Sequence, residues 1–549
     1  MNKSQVLIHR LFSIRNQFGK KYSTQKLSLL TALTGEKITS KKALHSYYDS
    51  LLFLLAYPDN RAVYEGARRS LQQLELSIQS NQLLKNRLYN SGIAYTELCA
   101  AFSFEMVKWM RKKYRYAIRL KSFDADDGQI RAILSVVMPR IESEILLDAN
   151  ENWRSWLKKT MSKGEDMLDR LLANFDEADM RPDIRDELWG ALGINVEINF
   201  SAHLFLPASL VIPYFHRSLI RKNPGSKQPD LKPVRVKLEE KAAEHIIACA
   251  RMILVQHLRE IDPISFTDCR YVSYYQLARG VSIALMGMVP LRRSPVDCYM
   301  GYVVFKNGLP VAYAGSWILF DSGRIGLNIF PAYRGGESKY IFEQVLKLHS
   351  RVYGLNRFSV DPYQIGKENK DGIDSGSFWI YYHAGFRPLR KDQQQLAETE
   401  ALKIKSICGY RSPGSVLKKL ADSRMELILQ KKPVRFDATD LSRAFSAILK
   451  TQYDNNHKTA RDDSFMRLVK MLQIENYHET ELKYVLKNWC VLLFSSKQQL
   501  QFSNGLKEIL KKLFELKAKG SEEEYISLLQ QTGELRKFME NLFGLLKLS

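Results

Sequence analysis

Residues 325–346, Ile-Gly-Leu-Asn-Ile-Phe-Pro-Ala-Tyr-Arg-Gly-Gly-Glu-Ser-Lys-Tyr-Ile-Phe-Glu-Gln-Val-Leu, constrain the fold of this chain more than any other stretch. They read as a short strand, a Pro–Gly break, and a helix that begins at the turn Arg334-Gly335-Gly336. Glycines in such a turn let backbone N–H groups approach an anion, and the dipole of the following helix favours negative charge at its N-terminus. A plain tight turn before a helix uses the same residues, so the turn alone does not define a function. Further on, Arg357-Phe-Ser-Val-Asp361 has strand character. Ser375-Gly-Ser-Phe-Trp-Ile-Tyr381-Tyr-His-Ala-Gly385-Phe386 follows as an aromatic helix with a glycine stop.

Upstream of the turn, the runs Cys298–Lys306 and Leu309–Phe320 are rich in β-branched and aromatic residues. Asn307-Gly308 between them is a strong two-residue hairpin signal. Asp321-Ser-Gly-Arg324 then turns into the strand before the glycines. Antiparallel strands that feed a strand–helix–strand unit predict a mixed α/β sheet flanked by helices.

This order of strand, Arg-Gly turn, helix, strand, and helix ending in Tyr-x-x-x-Gly-Phe resembles the GNAT superfamily of acyltransferases over residues 236–432. In that family the strands before and after the turn helix splay apart. The pantetheine of an acyl-CoA enters the opening and its pyrophosphate rests on the turn. By position, the resemblance implies that Arg334, Gly335, Gly336 and Lys339 meet the phosphates. Ile329 and Phe330 would offer backbone groups to the pantetheine, and Tyr381 would be the general acid that protonates the departing thiolate. Pro388-Leu389 and Met425–Leu429 would supply the last strands.

Two positions depart from the family's Arg/Gln-x-x-Gly-x-Gly/Ala turn, which here carries Glu337 and Lys339. A carboxylate in the first helical turn suits the dipole but repels a pyrophosphate, and Lys339 offsets part of that repulsion. Phosphopantetheine on an acidic carrier protein brings one phosphodiester only and is the alternative donor. Asp374 or Ser375 stands where the family often begins its last helix with Asn, and either is a good N-cap.

The acceptor implied is an amine, which must lose a proton before it attacks a thioester. Asp361, Asp321 and His383 are base candidates from their places near the predicted strand ends. The polar segment between Asp361 and Ser375 is long for a connection in such a unit, and long loops at strand ends carry ligand contacts. Tyr363, Gln364 and Asn369 in it are the candidate acceptor-binding residues, against the simpler reading of a surface loop. His245, Cys249 and His257 suggest a metal only weakly: two ligands on one helix face do not make a site, and no metal is expected.

With 549 residues the chain exceeds one hydrophobic core. The expected layout is a helical N-terminal region (1–228), the GNAT-like domain (236–432) and a helical C-terminal region (433–549). Val63, Ala67, Leu71, Leu74 and Ile78 recur at helical spacing behind an expected Asp59 cap. Gly520 and Ser521-Glu-Glu-Glu524 mark a helix stop and a helix start. The proline-rich stretch 222–233 is the best linker.

Lys plus Arg number 82 against 59 acidic residues, a net +23 that favours acidic partners, including a carrier protein. The basic clusters, such as Arg111–Arg115 and Lys431–Arg435, form no sustained stripe with aromatics, so nucleic acid is not the expected partner. The six cysteines are scattered without a Cys-x-x-Cys, as in a reduced cytoplasmic protein. No segment reads as a membrane span, and the basic N-terminus lacks a secretory apolar core. The roughly 350 residues outside 236–432 keep open a second reading, a binding scaffold that retained the fold without the chemistry.

Overall fold

The computed structural model describes residues 2–147, 151–199, 205–220, 232–430, 434, 436–494 and 502–546. Most of the expected linker and most of the Lys431–Arg435 cluster lie outside these residues.

The N-terminal region is mostly helical but also contains a three-stranded antiparallel sheet that periodicity did not reveal. Its strands β1 (Glu97–Ala101), β2 (Ile118–Phe123) and β3 (Ile194–Asn199) lie in the order β1-β3-β2. Only Ile118 of β2 is fully buried, so no alternating apolar signal forms there. Helices between Phe104 and Leu192 pack on this sheet around a core of their own, in which Trp189 meets Phe104 and Phe175 edge to face at 5.2 Å. The first four helices (Lys3–Ile14, Lys20–Leu33, Lys41–Ala56 and Arg61–Gln79) belong instead to the main core of the molecule. In the last of these, Val63, Ala67, Leu71, Leu74 and Ile78 are all buried, as their spacing predicts. Its cap is Asn60, which accepts from the Val63 N–H at 3.0 Å, and not Asp59. Asp59 is drawn away by buried Lys26, at 2.6 Å.

The large sheet has ten strands: β4 (Val234–Val236), β5 (Val272–Gln276), β6 (Val281–Met286), β7 (Cys298–Lys306), β8 (Leu309–Leu319), β9 (Ser322–Ile325), β10 (Asn328–Ile329), β11 (Arg357–Val360), β12 (Arg387–Pro388) and β13 (Met425–Ile428). Their order is β12-β13-β11-β9-β8-β7-β6-β5-β4, with β10 also on β8. Neighbours are antiparallel except β9 and β11. That pair is joined through the turn helix Ser338–Tyr353, as a parallel pair requires. Asn307 (φ 48°) and Gly308 (φ 83°) turn the β7–β8 hairpin with both residues left-handed, which suits the twist of the strands.

The C-terminal region, from Ala438 to Leu546, is all helix among the described residues and shares the main core. Gly520 ends one helix and the Ser521 hydroxyl caps the next, accepting from the Glu524 N–H at 3.2 Å. There the buried Lys517 ammonium bonds Glu522 at 2.8 Å and the Asp297 carbonyl of the β6–β7 connection at 2.8 Å.

Candidate functional site

Among the described strands, the single parallel pair opens at its carboxyl end. Ser322 to Arg324 pair with Arg357 to Ser359, and then the strands part. After Gly326-Leu327 the chain turns back onto β8, with Asn328 opposite Tyr313, while Val360 of β11 pairs with Met425 on its other side. At this break the Gly326 carbonyl accepts from the Tyr302 hydroxyl, and the Gln364 side-chain amide lies 3.0 Å from where a methyl group at Gly326 would be. The result is a cleft of about 740 Å³.

Ile329, Phe330, Arg334, Gly335, Tyr363, Gln364, Asn369 and Tyr381 all line this cleft. Gly336 and Lys339 do not. Gly336 lies behind the turn, where an added methyl would come within 2.7 Å of the Tyr57 ring. The Lys339 ammonium points along the helix toward Glu343, at 3.9 Å.

Tyr381 comes from the helix Ser377–His383 and is 1% exposed. Its ring packs edge-on against Phe342 at 5.0 Å, and its hydroxyl accepts from the Leu327 N–H at 3.1 Å. Burial pushes the phenol above its ordinary range, so it stays protonated. The helix starts at left-handed Gly376 (φ 65°), with no side-chain cap. Asp374 and Ser375, the expected caps, instead end the preceding helix Lys370–Ser375. The segment after Asp361 is thus not a plain loop but two short helices, Pro362–Ile365 and Lys370–Ser375. Asn369 caps the second of these, accepting from Gly372 N–H at 3.1 Å, and its amide donates to the Tyr363 carbonyl at 3.0 Å. Tyr363 projects with 55% exposure.

Glu337 does not face the cleft, so the expected repulsion of a pyrophosphate does not arise. Its side chain is fully buried behind the turn, 2.7 Å from the Lys306 ammonium and bonded to Arg279 and to the Ile220 N–H at 3.0 Å. Burial alone would raise this carboxyl, but His216, Lys306 and Arg279 outweigh it and hold the group ionised, well below the carboxylate range. His216 itself is kept neutral by burial, its value lowered to about 4.

The turn is braced by N-terminal helices remote in sequence. Arg15 donates to the Arg334 carbonyl at 3.3 Å, and the helix Lys41–Ala56 packs on Pro331–Tyr333. The Arg334 side chain forks onto Asp371, at 2.9 and 2.7 Å.

Among the cleft residues that the sequence did not assign to it are Asp371 and two that follow the helix Glu240–Gln256, Arg259 and His257, the latter weighed only as a metal ligand. The His257 ring lies 4.3 Å from that of Phe330, which in turn stacks on Tyr313 at 5.2 Å. Its Nδ1 is 2.9 Å from the Ile253 carbonyl, an acceptor only, so Nδ1 carries the proton and Nε2 a lone pair. Burial lowers its pKa, with help from the Arg259 and Arg334 charges. His245 likewise bonds a backbone carbonyl, that of Phe205 at 2.8 Å, and Cys249 is buried. Asp361, Asp321 and His383 do not line the cleft. Asp361 pairs with Arg424 at 3.1 Å, Asp321 accepts from the Val434 N–H at 3.0 Å, and His383 packs on Trp379.

Comparison of the chain with protein-family models, curated proteins and solved structures gives no match.

Proposed function

We propose that the chain is a GNAT-like acyltransferase that moves an acyl group from a pantetheine thioester, as acyl-CoA, to an amine. The observation that supports it is the opening between β10 and β11 at the end of the parallel pair β9–β11, with Arg334, Gly335 and Tyr381 among its lining residues. Strands that part at their carboxyl ends leave backbone groups on the parted edges free for a ligand. The amides of pantetheine are suited to that edge, and the phosphates to the glycine turn.

In this reading the amine gives its proton to His257 Nε2, the lone-pair nitrogen. Its nitrogen then bonds to the thioester carbonyl carbon, backbone N–H groups stabilise the oxyanion, and the C–S bond breaks. Tyr381, protonated by virtue of its burial, gives a proton to the leaving sulfur. Holding both reactants in one cleft supplies much of the acceleration. Burial of Glu337 away from the cleft removes one of the two reasons to prefer a carrier-bound donor; the net charge of +23, which favours an acidic carrier, remains.

Thiol release from acetyl-CoA in the presence of a panel of small amines tests the reading. Tyr381→Phe is expected to lower the rate about 10- to 1,000-fold with little change in donor affinity. Arg334→Ala is expected to weaken the donor. Activity indifferent to both substitutions, or none with any donor, favours the scaffold reading.

A further inference from the structure

A second, smaller cavity of about 160 Å³ adjoins the cleft, and His257 and Pro331 line both. Much of its wall comes from the helices Lys41–Ala56 and Glu240–Gln256. No lysine or arginine lines it. Burial holds His45 and His257 below their ordinary range, and it pushes the Cys249 thiol up to about 12, so all three are neutral. Asp49 is left as the one charged residue on the wall of this cavity, in a chain of net charge +23.

The Asp49 carboxylate makes no hydrogen bond and no ion pair among the described residues. Arg15, which does not line the cavity, is the opposing charge that acts on it. Burial outweighs that charge and raises the carboxyl to about 6, which leaves it ionised at pH 7.5. A carboxylate in this state costs the fold stability unless a cation reaches it. Tyr48 and Tyr333 line the cavity, are buried, and feel the Asp49 charge; Phe205 adds a third ring. Aromatic rings beside a lone carboxylate suit an organic cation, since ring faces attract it and the carboxylate accepts its N–H. Volume sets the size: an apolar cavity of about 150 Å³ takes one benzene molecule, so a ligand of about six non-hydrogen atoms fits here.

We propose that this cavity binds a small primary alkylammonium ion, with its head on Asp49 and its apolar body against Leu52, Met252 and Ile253. The site is separate from the acyl-transfer cleft and requires neither donor nor reaction.

Titration calorimetry on the full chain at pH 7.5 with isopentylamine, protonated at that pH, and with isopentanol, its neutral counterpart, tests this. The ammonium is expected to bind at least about tenfold more tightly than the alcohol, the scale of a hydrogen bond to a charged group. Asp49→Asn is expected to reduce that preference to less than about threefold, with a Tm no lower than that of the wild type, because an unpaired buried charge is gone. Asp371→Asn removes a carboxylate from the cleft instead and is expected to change amine affinity less than about twofold. An ammonium that does not bind, or binds no more tightly than the alcohol, overturns the site whether or not the variants fold. So does an Asp49→Asn protein that keeps the full preference. Loss of amine binding in Asp371→Asn alone puts the amine in the cleft and overturns the cavity site. No donor is present in these titrations, so the acyl-transfer reading stands or falls separately, on thiol release.

Discussion

Glu337 illustrates how far a residue's role depends on where its side chain goes. In the sequence it stands in the first turn after the glycines, where an anion meets the backbone. In the structure its carboxylate turns inward and satisfies Lys306 and Arg279. Glu337→Ala is therefore expected to cost about 3–5 kcal/mol, because two buried cations lose their counter-charge. It is not expected to tighten CoA; urea denaturation and a binding titration read the two effects separately. His257 gives a second expectation. A base must be neutral, and burial holds this imidazole below the ordinary 6.5. The rate is thus expected to hold through neutrality and to fall only on the acid side of pH 6.5, and His257→Gln to remove that acid limb; a pH–rate profile decides. His349 is fully buried, with its value lowered to about 4, and bonds Val345 and Ser316. Its unfolded form takes up a proton first as pH falls, so its contribution is lost progressively below pH 6.5. At pH 5 the wild type is expected to have lost about 2 kcal/mol relative to His349→Gln, compared with pH 7. Urea midpoints at the two values measure it.

At the scale of elements, the strongest sequence signals were those with local causes. The β7–β8 hairpin follows from Asn307-Gly308, since left-handed backbone comes readily to few residues. Asn307 also does what no local rule states. Its amide donates to the Ala56 carbonyl at 2.9 Å and its oxygen accepts from the Tyr214 N–H at 2.8 Å, tying the hairpin to an N-terminal helix and to the 205–220 segment. Asn307→Ala is expected to cost about 2–4 kcal/mol from strain and unsatisfied backbone groups, read as a shift in urea midpoint with unchanged m-value. The turn helix was likewise expected, from the glycine turn before it, and it buries Ile341, Phe342, Val345 and Leu346. The segment after Asp361 was not. Two helices of four and six residues are too short to show a period, and their boundaries are set by glycines and by the Asn369 cap.

At the scale of the molecule, there are two cores and they do not follow the boundaries that composition suggests. Residues 97–199, with Met252 and Val255 of the helix Glu240–Gln256, build one, while the first helices, the large sheet and the C-terminal helices build the other. Hydrogen exchange is expected to show residues 97–199 opening as a unit at a lower free energy than the main core, because few of its apolar residues are shared with it. Uniform exchange across both would count against this. The N-terminal helices, by contrast, reach the site itself through Arg15 and Tyr57, the latter 280 positions from the Glu337 N–H it touches. Deleting residues 1–93 should expose the main core and the back of the turn, and the product is expected to be insoluble rather than merely inactive.

The order of strand, turn and helix, the hairpin, and the mixed sheet were set by backbone preferences and apolar periods, which act over a few residues and can be read in a string. Tyr381 and Arg334 were singled out by the resemblance to the GNAT superfamily, and the fold brings both to the lining of one cleft. The parting of β10 from β11, the inward turn of Glu337, and the arrival of His257, Arg259 and Asp371 in one cleft were decided only when distant segments packed. Burial and ion pairing act between whichever groups the fold brings within a few ångströms, and sequence spacing carries no record of that.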